Sequence, residues 1–173
     1  MSSDGPQITL VAKDSVKVKV SVEFRNISHL IKSILEDSSP NEEISVEFIQ
    51  EPVLAKIIEF AEHHHYRPPA SPKCPLTSNI LSDALSDDWD INFVKNLTRE
   101  QLIDLIQAAR YLDVKSLLDI CIATLAASFK GKEIDDINRE FNIIEDFTFE
   151  EEEKLKNDFP WVMDMDVKSI FHK

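Results

Sequence analysis

The chain has 173 residues, 43% of them hydrophobic and 29% charged, long enough to bury about 70% of its unfolded surface in one domain, or one domain with a helical extension. Its net charge of −13 runs against nucleic acid and against an anionic membrane surface, both of which call for Lys and Arg opposite phosphate; it suits solubility and basic or apolar protein partners. No apolar run reaches the roughly 18 residues that span a bilayer, residues 1–6 lack a signal-peptide pattern, and two cysteines, Cys74 and Cys121, are too few for a disulfide framework. A reduced protein of the cytoplasm and nucleus is expected.

Residues 7–12 (QITLVA) and 16–22 (VKVKVSV) are β-type. In the second, Val16, Val18, Val20 and Val22 face one way and Lys17 and Lys19 the other. Lys13, Asp14 and Ser15 suit a hairpin turn. From Phe24 to Asp37 the apolar residues Ile27, Leu30, Ile31, Ile34 and Leu35 recur at helical spacing, with Asn26 or Ser28 as cap. Residues 44–49 (ISVEFI) alternate again as a third strand. Pro52 then opens a helix at its favoured first-turn position, with Val53, Leu54, Ile57, Ile58 and Ala61 as its buried stripe.

Residues 67–86 carry Pro68, Pro69, Pro72 and Pro75 and predict a flexible loop. Trp89, Phe93 and Val94 mark a short helix. Thr98-x-x-Gln101 is a capping box before a helix whose apolar face is Leu102, Leu105, Ile106, Ala109 and Leu112. The periodicity restarts after Asp113 with Val114, Leu117, Leu118, Cys121, Ile122 and Leu125, and Gly131 stops it. Ile134, Ile137 and Phe141 predict one more short helix, and Thr148-x-x-Glu151 caps an acidic last helix running towards Pro160 and Trp161. Strands early and helices late give an α+β fold: a three-stranded sheet with helices, then a helical extension.

Enzyme signatures are absent from the sequence. Neighbouring side chains on a helix point about 100° apart, so His63, His64 and His65 do not converge on one metal; they read as a polar helix end with solvent-exposed imidazoles. There is no Gly-rich phosphate loop and no Cys-x-x-Cys. Cys121 lies on an apolar stripe and reads as a small core residue. The acidic runs at Asp87-Asp88 and Glu150 to Glu153 read as solvated helix starts. No catalytic residue, metal or cofactor is expected.

Several segments together resemble the S-phase kinase-associated protein 1 family. They are Ser33-Ile34-Leu35-Glu36-Asp37, His63-His64 followed by Pro68-Pro69, Trp89-Asp90, the string from Ala108 to Asp119 (AARYLDVKSLLD), Lys130-Gly131-Lys132, Phe141-Asn142-Ile143, Asp146-Phe147-Thr148, Glu150-Glu151-Glu152 and Trp161. They fall in the family's order over about residues 7 to 161. The resemblance implies a BTB/POZ-like core followed by C-terminal helices that bind F-box proteins, and an adaptor that links them to a cullin in an SCF-type ubiquitin ligase. It divides the chain into residues 1–66 (first part of the core), 67–86 (the Pro-rich loop), 87–129 (helical remainder of the core), 130–161 (F-box-binding helices) and 162–173 (a tail).

The F-box-binding residues so implied are Leu118, Ile122, Leu125, Phe129, Phe141, Ile143 and Trp161; the cullin-binding ones are Arg110 and Tyr111. Leu118, Ile122, Leu125 and Phe129 follow 4, 3 and 4 spacing along one helix face, which suits a partner helix; for Leu118 and Ile122, membership of the chain's own core is the equal alternative. Arg110 departs from the family, which carries a small polar Asn there. A long cation either hinders the cullin through bulk and charge or snorkels harmlessly to water. A scaffold that stabilises an F-box protein without binding cullin is therefore the second reading. An apolar C-terminal face also predicts a weak homodimer when no partner is present.

Overall fold

The computed structural model describes residues 6–37, 43–76, 78–143 and 148–160. The chain divides into two compact units, Met1–Gly131 and Lys132–Lys173.

In the first unit β1 (Gln7–Ala12) and β2 (Lys17–Ser21) form the expected antiparallel hairpin, with Leu10 opposite Val18. β3 (Glu43–Val46) pairs parallel with the other edge of β1, giving the order β2-β1-β3. A parallel pair needs a crossover, and the segment between β2 and β3 supplies it. Ser15 takes the left-handed turn conformation at φ 64°. Val16, expected to point inward with Val18, Val20 and Val22, lies exposed at the hairpin mouth, while Val20 is buried.

Two expected elements differ for visible reasons. The single helix predicted from Phe24 to Asp37 is a 3-10 helix at Val22–Asn26 followed by α1 (His29–Asp37). Ser28 makes the break. Its buried hydroxyl oxygen accepts the Ile31 N–H at 3.2 Å, capping α1, and its O–H donates to the Leu112 carbonyl at 2.6 Å. The third strand, predicted to Ile49, stops at Val46. A turn at residues 47–48 puts Ile49 into the core, where its carbonyl accepts the Lys13 N–H at 2.8 Å, and leaves the Phe48 side chain 76% exposed.

α2 (Glu51–His63) starts with Pro52 in its first turn and buries Leu54, Ile57, Ile58, Phe60 and Ala61. The Pro-rich stretch after it contains one helical turn, α3 (Leu81–Ala84), whose Ala84 is buried. The Ala84 carbonyl accepts the Lys73 N–H, and the Leu76 carbonyl accepts the Lys130 ammonium. α4 (Asp88–Lys95) is capped by Asp87, whose Oδ1 accepts the Trp89 N–H at 2.8 Å. α5 (Arg99–Tyr111) opens with the Thr98/Gln101 capping box complete in both directions.

α5 ends in a Schellman turn. Val114 N–H reaches the Ala109 carbonyl and Asp113 N–H the Arg110 carbonyl, with Asp113 at φ 51°. The chain then enters α6 (Lys115–Phe129), which packs on α5 and buries Leu117, Ile120, Cys121, Ala123 and Ala127. Gly131, at φ 82°, ends the unit in a conformation that favours glycine.

The second unit holds α7 (Ile134–Phe141) and α8 (Phe149–Asp158). Asn142 closes α7 at φ 50°, and Thr148 with Glu151 forms the capping box of α8. Among the described residues of this unit none is buried.

Two outcomes follow from this packing. Ser28→Ala leaves the Leu112 carbonyl without its donor and α1 without its cap, so the denaturation midpoint should fall by the equivalent of about 1–3 kcal/mol; an unchanged midpoint would show that the bond contributes nothing. Burial pushes the Cys121 thiol up to about 12, so almost no thiolate forms near neutral pH, whereas Cys74 is exposed. An alkylating reagent should modify Cys74 in the native protein and Cys121 only after denaturation, read by mass.

Candidate functional sites: two apolar docking faces

The α5–α6 corner presents an aromatic face. Tyr111, the last residue of α5, meets Phe48 edge to face, with ring centroids 5.2 Å apart at 64°. Both rings are exposed, as is Arg110, the residue before Tyr111 in the chain. A groove next to the pair is lined by Lys13, Gln50, Val53, Asp104 and Gln107 as well as the two rings. Of this group the sequence singled out Arg110 and Tyr111. Phe48 was missed because strict alternation aligns it with Ile44 and Val46, both buried; the turn at residues 47–48 reverses that phase. Pro52 was the available signal, since a helix that starts beside it leaves little room for a strand running to Ile49.

α6 carries two faces. Leu117, Ile120 and Cys121 point into the core. Leu118, Ile122, Leu125 and Phe129 lie about 110° further round the helix. Leu118 and Leu125 are half-buried against the core, Phe129 is half-buried, and Ile122 is 48% exposed. The two readings left open for Leu118 and Ile122 therefore separate: Leu118 packs on the chain's own core, and Ile122 faces outward.

In the second unit Phe141 is half-buried and Ile143 is 51% exposed. Trp161 lies outside the described residues. Three further large apolar side chains of this unit are exposed: Ile134, Leu155 and Phe159. Ile134 lies on the stripe that the sequence predicts with Ile137 and Phe141, and Leu155 and Phe159 sit in an acidic run. Their signal is spacing: Ile134 shares that stripe, and Leu155 and Phe159 fall four residues apart, one helical turn.

The histidine run differs from expectation. His64 is not a solvent-exposed imidazole; its side chain is 10% exposed, and its Nε2 lies 2.8 Å from Oδ1 of Asp90, a buried carboxylate on α4. His63 stacks on Trp89 with centroids 3.9 Å apart and planes 6° apart. His65 is exposed, as expected. The difference arises because Trp89 and Asp90 come from α4, which the sequence does not place beside the end of α2. Burial raises the Asp90 carboxyl above the ordinary range, and the His64 hydrogen bond opposes that shift. Among the described residues no helix is long and apolar enough to cross a membrane.

On both faces aromatic or aliphatic side chains sit outward, fixed from behind by buried neighbours. Comparison with known proteins agrees along nearly the whole chain. Residues 6–66 match the Skp1 family tetramerisation domain, and residues 115–162 match the Skp1 family dimerisation domain. The S-phase kinase-associated protein 1 homolog of Tetrahymena thermophila is 35% identical over 161 residues, which is 93% of this chain and 96% of that protein. The E3 ubiquitin ligase complex SCF subunit sconC of Arthroderma benhamiae is 38% identical over 156 residues, 90% of this chain and 94% of the relative. The protein of the same name from Talaromyces marneffei is 37% identical over 159 residues, 91% and 98%. With its three-stranded sheet, its helical extension and this similarity, the chain belongs to the Skp1 family.

Proposed function

We propose that this protein is the adaptor subunit of an SCF-type E3 ubiquitin ligase and performs no chemistry of its own. It binds an F-box protein through the outward face of α6, with Phe141 and Ile143 of the second unit adding apolar contact, and binds a cullin through the aromatic face around Tyr111. Relatives named as SCF subunits support the reading. The observation that carries it is α6, which is anchored by Leu117, Ile120 and Cys121 yet turns Ile122 to solvent. Holding two proteins at once raises the effective concentration of substrate near the ligase's conjugating partner.

Arg110 supports a second reading, a scaffold that stabilises an F-box protein without cullin. Arg110 is exposed and precedes Tyr111 in α5, and a partner that covers both positions must desolvate the cation or avoid it.

Ile122→Asp places a charge in the proposed contact at a position half open to water. Affinity for an F-box protein should fall by about 2 kcal/mol or more, roughly 30-fold, with the melting temperature little changed. Equal affinity in the variant would remove α6 from the interface. Affinity purification of the native protein at low salt should recover F-box proteins together with a cullin. Recovery of F-box proteins alone would reject the ligase reading and leave the scaffold. Arg110→Asn decides what the cation does: tighter cullin binding means that it hinders, and equal binding means that its side chain lies clear of the contact.

A further inference from the structure

One cluster of ligating side chains plays no part in the docking faces. It lies where the end of α2 meets the cap of α4. One ring nitrogen each from His63 and His64 and one carboxylate oxygen of Asp87 lie within 4.8 Å of one another. Each group also makes a separate contact. His63 lies flat on Trp89. Asp87 spends Oδ1 on the Trp89 N–H, and its Oδ2 is 4.0 Å from Nε2 of His63. His64 is tied through Nε2 to Asp90, the kind of carboxylate–imidazole pairing that orients metal-bound histidines and raises their basicity. Asp90 is only 3% exposed, so a cation on Nδ1, across the His64 ring, would help to balance a charge that water hardly reaches.

We propose that His63, His64 and Asp87 form a binding site for a divalent transition-metal ion of the zinc class, with water completing the coordination. Two imidazoles and one carboxylate suit zinc, nickel or copper and not magnesium or calcium, which take oxygen ligands. Tetrahedral zinc with bonds of about 2.1 Å sets its ligand atoms about 3.4 Å apart. The His63 and Asp87 side chains are partly exposed, so both can shift to close that gap without disturbing the core. A groove lined by Asp87, Asp88 and Asp90 gives an ion a negatively charged approach. The bound ion would pin the end of α2 to the start of α4 across the Pro-rich stretch, so that binding adds to folding stability.

Zinc titration of the full chain, followed by calorimetry, tests this. Cys74→Ser serves as the background, so that the exposed thiol does not take the metal. We expect one ion per chain, no competition by magnesium, and affinity lowered about tenfold or more by His63→Gln and by Asp87→Asn, with His65→Gln indistinguishable from the background chain. Asp87→Asn keeps the α4 cap, because Asn caps as well as Asp, and His63→Gln leaves the His64–Asp90 pair intact. A second readout needs no site variant: in a Trp161→Phe chain, copper(II) at one equivalent should quench the fluorescence of Trp89, the ring stacked on His63. Absence of saturable zinc binding, binding that survives both substitutions, or Trp89 emission unaffected by copper would each overturn the site.

Discussion

The first unit depends on one short hydrogen bond between distant parts of the chain, from the Ser28 hydroxyl to the Leu112 carbonyl. Its donor caps α1, the crossover helix that feeds β3; its acceptor sits at the corner where α5 turns into α6. The same corner gives the Asp113 carbonyl to the His29 N–H, and His29 Nδ1 lies 3.2 Å from a carboxylate oxygen of Asp113. Leu112 and Val114 on either side are fully buried. A carbonyl at a helix end, dehydrated by such neighbours, is costly unless a donor reaches it. The sheet half of the unit and the helical half are therefore registered against each other at this point. Tyr111, immediately before the corner, and α6, immediately after it, inherit their positions from that registration.

The two faces of α6 differ in what they do for the fold. Leu117, Ile120 and Cys121 supply the hydrophobic anchoring that holds the helix on α5. Ile122, one residue further on, adds nothing to that core and stays half in water. A helix apolar on one stripe only would have a single duty. Here the second stripe is short, and two of its residues, Leu118 and Leu125, still rest on the core, which keeps the outward Ile122 on a rigid support.

Much of this architecture was legible in the sequence, because local rules and burial agree. The Thr98/Gln101 and Thr148/Glu151 boxes, Pro52 in the first turn of α2 and Gly131 after α6 each act within a few residues. Failures fall where a distant residue decides. Ser28 caps α1, one of the two caps expected, but its tie to Leu112, far along the chain, has no local signal. Phe48 points outward because Ile49 is claimed by the core and its carbonyl by Lys13. His64 is shielded because α4 delivers Asp90 to it. Within the candidate sites, Tyr111 and Ile122 could be named from spacing and resemblance, but their exposure could not, since a periodic pattern does not say which of two adjoining stripes faces the core.

The second unit has a consequence for the life of the protein in a cell. Ile134 is 69% exposed there, and Ile143, Leu155 and Phe159 also meet water. An assembly partner that hides such groups shields the chain, whereas a copy made in surplus offers them to proteases and chaperones, which act on poorly buried segments. Covering Ile134, Ile143, Leu155 and Phe159 would therefore lengthen the life of the chain, and the lifetime of an uncovered copy is set by how long those side chains stay in water.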